Sequence, residues 1–180
     1  MTDLGLLGPE YTFHDLARRR FLSELKHTYY SSFDEVFNAL KSGEIKQALI
    51  AVKNSSSGLV NDNLERISSE YHHIETYELP VHLCLGSSTQ RTIDKIKKVF
   101  SHHMAIKETE KYFSKYHHIT FIATSSTAGA VDELLNSKDK TAAVISSKEA
   151  IESNKLQLLA ENIEDEKHNF TTFYLVTRKP

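Results

Sequence analysis

Gln47-Ala48-Leu49-Ile50-Ala51-Val52 is apolar from its second residue to its last, without alternation and without glycine or proline. A run of that length reads as a strand covered on both faces, the pattern of a parallel sheet. Such a strand needs helices to cover it, and the flanking sequence supplies them. Before it, Ser32-Phe33-Asp34-Glu35 fits a capping box, Phe33, Val36, Phe37 and Leu40 form one apolar stripe, and Gly43 is a natural stop. After it come the loop Lys53-Asn54-Ser55-Ser56-Ser57-Gly58 and a second helix from about Asn61 to Ser69. Open α/β sheets bind ligands at the carboxyl ends of such strands, so that loop is a place to look for chemistry.

The same unit recurs along the chain. Leu4-Gly5-Leu6-Leu7 reads as a short buried strand ended by Gly8-Pro9-Glu10, followed by a helix that Thr12 caps and that buries Phe13, Leu16, Ala17 and Phe21. A strand, a glycine-containing loop and a helix N-terminus make a site where backbone N–H groups can meet an anion. His27 to Tyr30 reads as a second strand. Ile74 to Leu85 is extended, and Pro80 within it marks an edge strand or, as favoured here, a crossing between lobes. Beyond it, helical spacing is read over Thr92–Val99, over Ala105–Phe113, from Thr127 to Leu135 and over Lys148–Ser153. Strands are read over Ile119–Ala123, Thr141–Ile145, Leu156–Ala160 and Thr171–Val176. The expectation is two α/β lobes, 1–79 with 162–180 and 80–161, joined by two crossings with polar loops facing a cleft.

Composition narrows the function classes. A formal charge of -2 gives no general attraction to nucleic acid or to an anionic membrane. Cys84 is the single cysteine, so no internal disulfide is available and a reducing compartment fits. No apolar run reaches eighteen residues, and Met1-Thr2-Asp3-Leu4 lacks the basic start and apolar stretch of a secretory signal, which leaves cytoplasmic as the default location. The histidine pairs His72-His73, His102-His103 and His117-His118 are poor chelates on strands, because neighbouring side chains point to opposite faces, so no metal is expected. No phosphate-binding glycine pattern is present, and Ser55, Ser56, Ser57, Ser125 and Ser126 need no more than a turn to explain them. These features describe a scaffold for a small anionic ligand without specifying a reaction.

Five stretches, taken in order, carry more. Gly8-Pro9-Glu10-Tyr11-Thr12-Phe13 is similar to a G-P-E-G-T-F opening. Ser32-Phe33-Asp34-Glu35-Val36-Phe37, with Asn54-Ser55 and Gly58-Leu59-Val60 after it, is similar to S-F-x-x-V-F and P-x-E-N-S-x-x-G-x-V. Leu79-Pro80-Val81-His82 is similar to an L-P-I-x-H crossing, while Ser101-His102 and Ser126-Thr127-Ala128-Gly129-Ala130 match S-H-P and S-T-A-x-A. Glu161-Asn162-Ile163-Glu164-Asp165 and Asn169-Phe170-Thr171-Thr172-Phe173 are similar to an N-I-x-D and N-x-T-R-F ending. Together they resemble the prephenate dehydratase catalytic domain across essentially the whole chain.

The resemblance implies a two-lobe fold like that of type II periplasmic binding proteins, with no metal or organic cofactor. It implies loss of carbon dioxide and hydroxide from prephenate to give phenylpyruvate, on the phenylalanine pathway. The proton donor to the leaving hydroxide would be Thr171. Substrate contacts would come from Thr12, Lys53, Asn54, Ser55, Ser101, Glu108, Ser126, Thr127, Ala128, Thr172 and Phe173. Members often form homodimers and commonly carry a C-terminal ACT domain; a dimer is expected here, and no ACT domain follows Thr171 before Pro180.

Several positions depart from the motifs. Thr172 stands where the motif has Arg, Lys53 where it has Glu, Glu108 where a Gln is usual, Tyr11 where the opening has Gly, His103 where S-H-P has Pro and Ala51 where a Pro precedes E-N-S. In one reading the charges are rearranged, with Lys53 as the carboxylate anchor and Glu108 in place of the lost Glu. In the other the site has drifted, and the protein is a non-catalytic small-anion binder or a prephenate decarboxylase-like enzyme on the same scaffold.

Overall fold

The computed structural model describes residues 2–89 and 92–179. They divide into two compact units, Met1–Val81 with His168–Pro180, and His82–Lys167.

The first unit is built on strands β1 (Thr2–Leu7), β2 (His27–Tyr30), β3 (Ile45–Asn54), β4 (Gly58–Leu59) and β5 (Tyr71–Pro80), with the last strand of the chain, β11 (Phe170–Arg178), inserted among them. The sheet order is β2-β1-β3-β11-β5, and β4 pairs with β3. β1 runs parallel to both neighbours, whereas β11 is antiparallel to β3 and to β5. The apolar run 47–52 is therefore parallel on one side only. Its burial on both faces comes from helices α1 (Phe13–Phe21), α2 (Phe33–Ser42) and α3 (Asn63–Glu70). On one face Ala48, Ile50 and Val52 pack with Val36, Phe37, Leu40 and Ile67; on the other Leu49 and Ala51 pack with Leu4, Ala17, Phe173 and Leu175. Phe173 and Phe37 are wholly removed from solvent, each contributing about 2–3 kcal/mol of transfer free energy.

The helix ends follow the residues that call for them. The Thr12 hydroxyl accepts from the Asp15 N–H, Ser32 accepts from the Glu35 N–H, and Gly43 closes α2 at φ 82°. A Cβ at Gly43 would meet only the movable end of the Arg178 side chain, so it is the backbone angle that favours glycine there.

The second unit holds β6 (Cys84–Ser87), β7 (Lys98–His102), β8 (Thr120–Thr124), β9 (Ala142–Ser146) and β10 (Gln157–Ala160), in the order β10-β6-β9-β7-β8. The strand β7 is parallel to β8 and β9, while β6 is antiparallel to β9 and β10. Its helices are α4 (His103–Lys107), α5 (Glu110–Phe113), α6 (Gly129–Ser137) and α7 (Lys148–Ser153). Among the described residues no helix is long and apolar enough to cross a membrane.

Four expectations are corrected. No helix covers Thr92–Val99: a single 3-10 turn, Ile93–Lys95, precedes β7, which contains Ser101-His102. The three-residue spacing of Ile93, Ile96 and Val99 imitates a helix, but Ile96 and Val99 are buried in extended chain. The segment Ala105–Phe113 is two short helices, because Thr109 leaves helical geometry between them at φ -124°, its buried hydroxyl bonded to the carbonyls of Ala105 and Ile106. The helix expected from Thr127 begins at Gly129, with Ala128 at its cap position. The extended stretch 74–85 is interrupted: β5 ends at Pro80 as the edge strand of the first sheet, and β6 begins at Cys84 in the second.

Candidate active site

The end of β3 and the beginning of β11 bring together residues more than a hundred positions apart. Thr171 lies opposite Asn54, and Thr172 lies opposite Lys53. One step further, Phe173 lies opposite Ala51, so Val52 is an extra residue on β3, a β-bulge. On its other side β11 pairs Thr171 with Leu79 and Thr172 with Glu78. Residues directly across a ladder share a face, and consecutive residues alternate. Asn54, Thr171 and Leu79 thus form one row, on the face that α1 covers, while Lys53, Thr172 and Glu78 form a row on the other face.

The Asn54 side chain is locked at both ends. Its carbonyl oxygen accepts from the Ser56 and Ser57 N–H groups at 2.8 and 2.9 Å and from the Ser57 hydroxyl at 3.2 Å. Those donors identify which end of the amide is oxygen, so the nitrogen faces the other way. That nitrogen donates to Asn169 Oδ1 at 2.8 Å and to Thr171 Oγ1 at 3.2 Å. Asn54, Asn169 and Thr171 are all buried. The Thr171 oxygen therefore accepts one hydrogen bond, and among the described residues its own proton has no acceptor.

Other hydroxyls expected at the site are already in use. Ser55 donates to the His168 carbonyl and accepts from the Phe170 N–H, both at 3.0 Å, tying the β3 end to the β11 start. Thr12 donates to the Leu7 carbonyl at 3.2 Å while capping α1. The α1 N-terminus also holds a carboxylate of its own. Asp15 is fully buried and accepts from the Tyr11 N–H, Tyr29, Arg18 and Arg19. Burial alone would raise its pKa, but these hydrogen bonds, from Tyr11, Tyr29, Arg19 and Arg18, together hold it below the usual carboxylate range. Tyr11, where the motif has glycine, adopts φ 64°, and the Arg19 guanidinium lies 4.7 Å from its ring centre.

In the second unit, Ser101 is buried and donates to the Ile145 carbonyl at 2.8 Å. The Ser126 hydroxyl accepts from the Gly129 N–H at 2.9 Å, so it caps the first turn of α6 from two residues before the cap position. The Thr127 carbonyl accepts from Ser146 at 2.8 Å, and among the described residues its hydroxyl has no partner. Glu108 ends α4, and its carbonyl accepts from the Asp165 N–H at 2.7 Å. His102 caps α4 through Nδ1, and burial, followed by the neighbouring His103, lowers its pKa. Three further residues belong to this arrangement and are not among those expected from the sequence: Asn169, the second partner of Asn54, and His14 and Asn63, which hold Ala51. Asn169 sits two places before Thr171 in a quoted motif, which was its only signal; a lone histidine or asparagine in a helix start gives none.

The prephenate dehydratase family model matches residues 4–180 of the chain. A prephenate dehydratase of Lactococcus lactis subsp. cremoris (strain MG1363) is 29% identical over 180 residues, covering 98% of this chain and 63% of that protein. Among solved structures, a prephenate dehydratase of Arthrobacter aurescens in complex with L-Phe gives a TM-score of 0.88 at 23% identity, covering 99% of this chain and 61% of that one. A high-arginine-specificity periplasmic binding protein of Salmonella typhimurium gives a TM-score of 0.50 at 14% identity, covering 99% and 85%, a likeness of fold alone. The bifunctional chorismate mutase/prephenate dehydratase of Escherichia coli (strain K12) is 25% identical over 181 residues, and the chain spans 47% to 63% of the length of these curated relatives.

Proposed function

The chain belongs to the prephenate dehydratase family, and from that premise we propose that it converts prephenate to phenylpyruvate with Thr171 as the hydroxyl that assists the leaving group. In that reaction the bond from the ring to the carboxylate breaks, and its electron pair moves through the ring. Hydroxide leaves from the opposite carbon, and one proton taken up turns it into water. Aromatisation drives the step, so the protein's task is to stabilise the departing oxygen.

The observation that carries the reading is the Asn54 to Thr171 hydrogen bond. A threonine hydroxyl is a poor acid in isolation. With its oxygen accepting from a locked amide in a buried setting, its O–H is polarised, and the proton has no competing acceptor among the described residues. That suits a positioned donor to a leaving oxygen. Lys53 is the proposed counter-charge for a substrate carboxylate. It lies across from Thr172, the position of the motif Arg, and so shares that position's face of the sheet, opposite to the face that carries Thr171; both residues stand at the strand end, where a ligand can meet the two faces together. As a point charge it lacks the bidentate fork of Arg.

The test is turnover of prephenate by the purified protein, followed as phenylpyruvate, beside Thr171→Val. The valine keeps the shape and removes the hydroxyl, and the expected fall in kcat is roughly 100- to 10,000-fold. Equal turnover by the two proteins would remove Thr171 from the reaction.

A further inference from the structure

What decides that Asn54, and not Lys53, stands beside Thr171 is the extra residue in β3. Carried on from the Phe173–Ala51 pair without the bulge, the register would set Val52 against Thr172 and Lys53 against Thr171. Asn54 would then face Phe170 and leave the sheet on the other side, because a slip of one residue reverses every side chain. The hydrogen bond from Asn54 to Thr171 would be replaced by a flexible ammonium. The bulge is therefore part of the site.

Two buried side chains grip the backbone where the bulge begins. The ladder between β1 and β3 ends at Leu6 opposite Leu49. Two residues further on, at Ala51, side chains take over from the strand. His14 Nε2 accepts the Ala51 N–H at 3.2 Å, and Asn63 Nδ2 donates to the Ala51 carbonyl at 2.9 Å. His14 comes from α1 and Asn63 opens α3, so the grip ties both helices to one residue. The His14 ring also meets the Phe173 ring edge-on, with centres 5.0 Å apart. It thus touches both members of the last regular pair before the extra residue. The neighbouring Val52 carbonyl accepts from the Val60 N–H at 3.0 Å, which holds the bulged residue from the β4 side.

We propose that His14 and Asn63 are positioning residues: by holding Ala51 at the bulge they select Asn54 as the neighbour of Thr171. Their effect on catalysis rests on the dehydratase reading; their effect on register does not. The acceptor role of Nε2 places the ring proton on Nδ1, so the ring acts here as a neutral acceptor. Glutamine can present its carbonyl oxygen close to where Nε2 lies, whereas leucine fills the volume without an acceptor.

The experiment uses the full chain with His14→Leu, His14→Gln and Asn63→Leu, and has two readouts. The first is the set of nuclear Overhauser contacts between the Asn54 side-chain amide and Thr171, which needs no substrate. His14→Leu and Asn63→Leu are expected to lose those contacts, with Lys53 contacts to Thr171 appearing, and His14→Gln is expected to keep them. The second is steady-state turnover of prephenate. His14→Leu is expected to lower kcat about 10- to 100-fold with KM changed less than about threefold, and His14→Gln to restore kcat to within about threefold of the parent. Asn54–Thr171 contacts intact in a folded His14→Leu or Asn63→Leu protein would overturn the proposal, as would His14→Gln behaving no better than His14→Leu. If His14→Leu does not fold, Asn63→Leu and His14→Gln decide the matter by the same contacts. A parent without turnover would count against the dehydratase reading and leave the contact measurement to judge the register.

Discussion

Replacing His14 by glutamine should remove a defined part of the protein's acid sensitivity. The ring is buried, and with Nε2 engaged by the Ala51 N–H it has no means of binding a second proton without breaking that bond. Burial takes its pKa from 6.5 down to about 3 in the folded state. The unfolded chain therefore binds a proton that the folded one refuses, and stability falls as pH drops below 6.5 toward 3. Linkage over that window amounts to about 5 kcal/mol in the acid limit, of which about 2 kcal/mol has gone by about pH 5. Urea unfolding of the parent and His14→Gln at a series of pH values isolates it, because the other titrating groups are common to both proteins. The parent's stability relative to the variant should be level above about pH 7 and fall by about 2 kcal/mol at about pH 5, with a slope approaching one proton. A flat difference would mean that His14 titrates alike in both states, and would refute the buried-acceptor account of the ring.

Asp15→Ala should be among the most damaging single changes outside the core. It leaves the buried Arg18 without its carboxylate and frees the Tyr11 N–H and the Tyr29 hydroxyl, at an expected cost of about 3–5 kcal/mol in urea unfolding. A loss below about 1 kcal/mol would show that the cluster is solvated in solution. Lys53→Glu should raise KM for prephenate about tenfold or more while changing kcat less, since it reverses the charge proposed to meet a substrate carboxylate. An unchanged KM would assign that carboxylate elsewhere.

Much of the scaffold was legible because its signals are local. The apolar run 47–52, the caps at Thr12 and Ser32, and the left-handed stop at Gly43 each depend on residues a few positions apart, and each appears in the structure. Thr92–Val99 misled because isoleucine and valine three apart fit a helix, and only the neighbouring strands made Lys98–His102 a strand. Lys53 to Gly58 read as a plain loop, though it contains the end of β3 and the first residue of the two-residue return strand β4. The site was harder. Motif resemblance marked Asn54 and Thr171, but the partners of Asn54 lie 115 and 117 residues away, beyond any spacing rule. The bulge left no trace in the pattern, because Val52 followed by Lys53 looks like the ordinary end of a buried strand. Ser55 and Thr12 carry hydroxyls suited to a ligand, and only the fold reveals that backbone groups already use them.

Whether Asn54 acts through the Thr171 hydroxyl is decided by a double-mutant cycle on turnover of prephenate, using Thr171→Val, Asn54→Leu and the pair together. If Asn54 acts by polarising the Thr171 hydroxyl, Asn54→Leu lowers kcat in the parent and has little further effect once that hydroxyl is gone. The double variant should then lie within about threefold of Thr171→Val. Losses that multiply, with the double variant slower by the product of the two single effects, would contradict the claim and make the two residues independent.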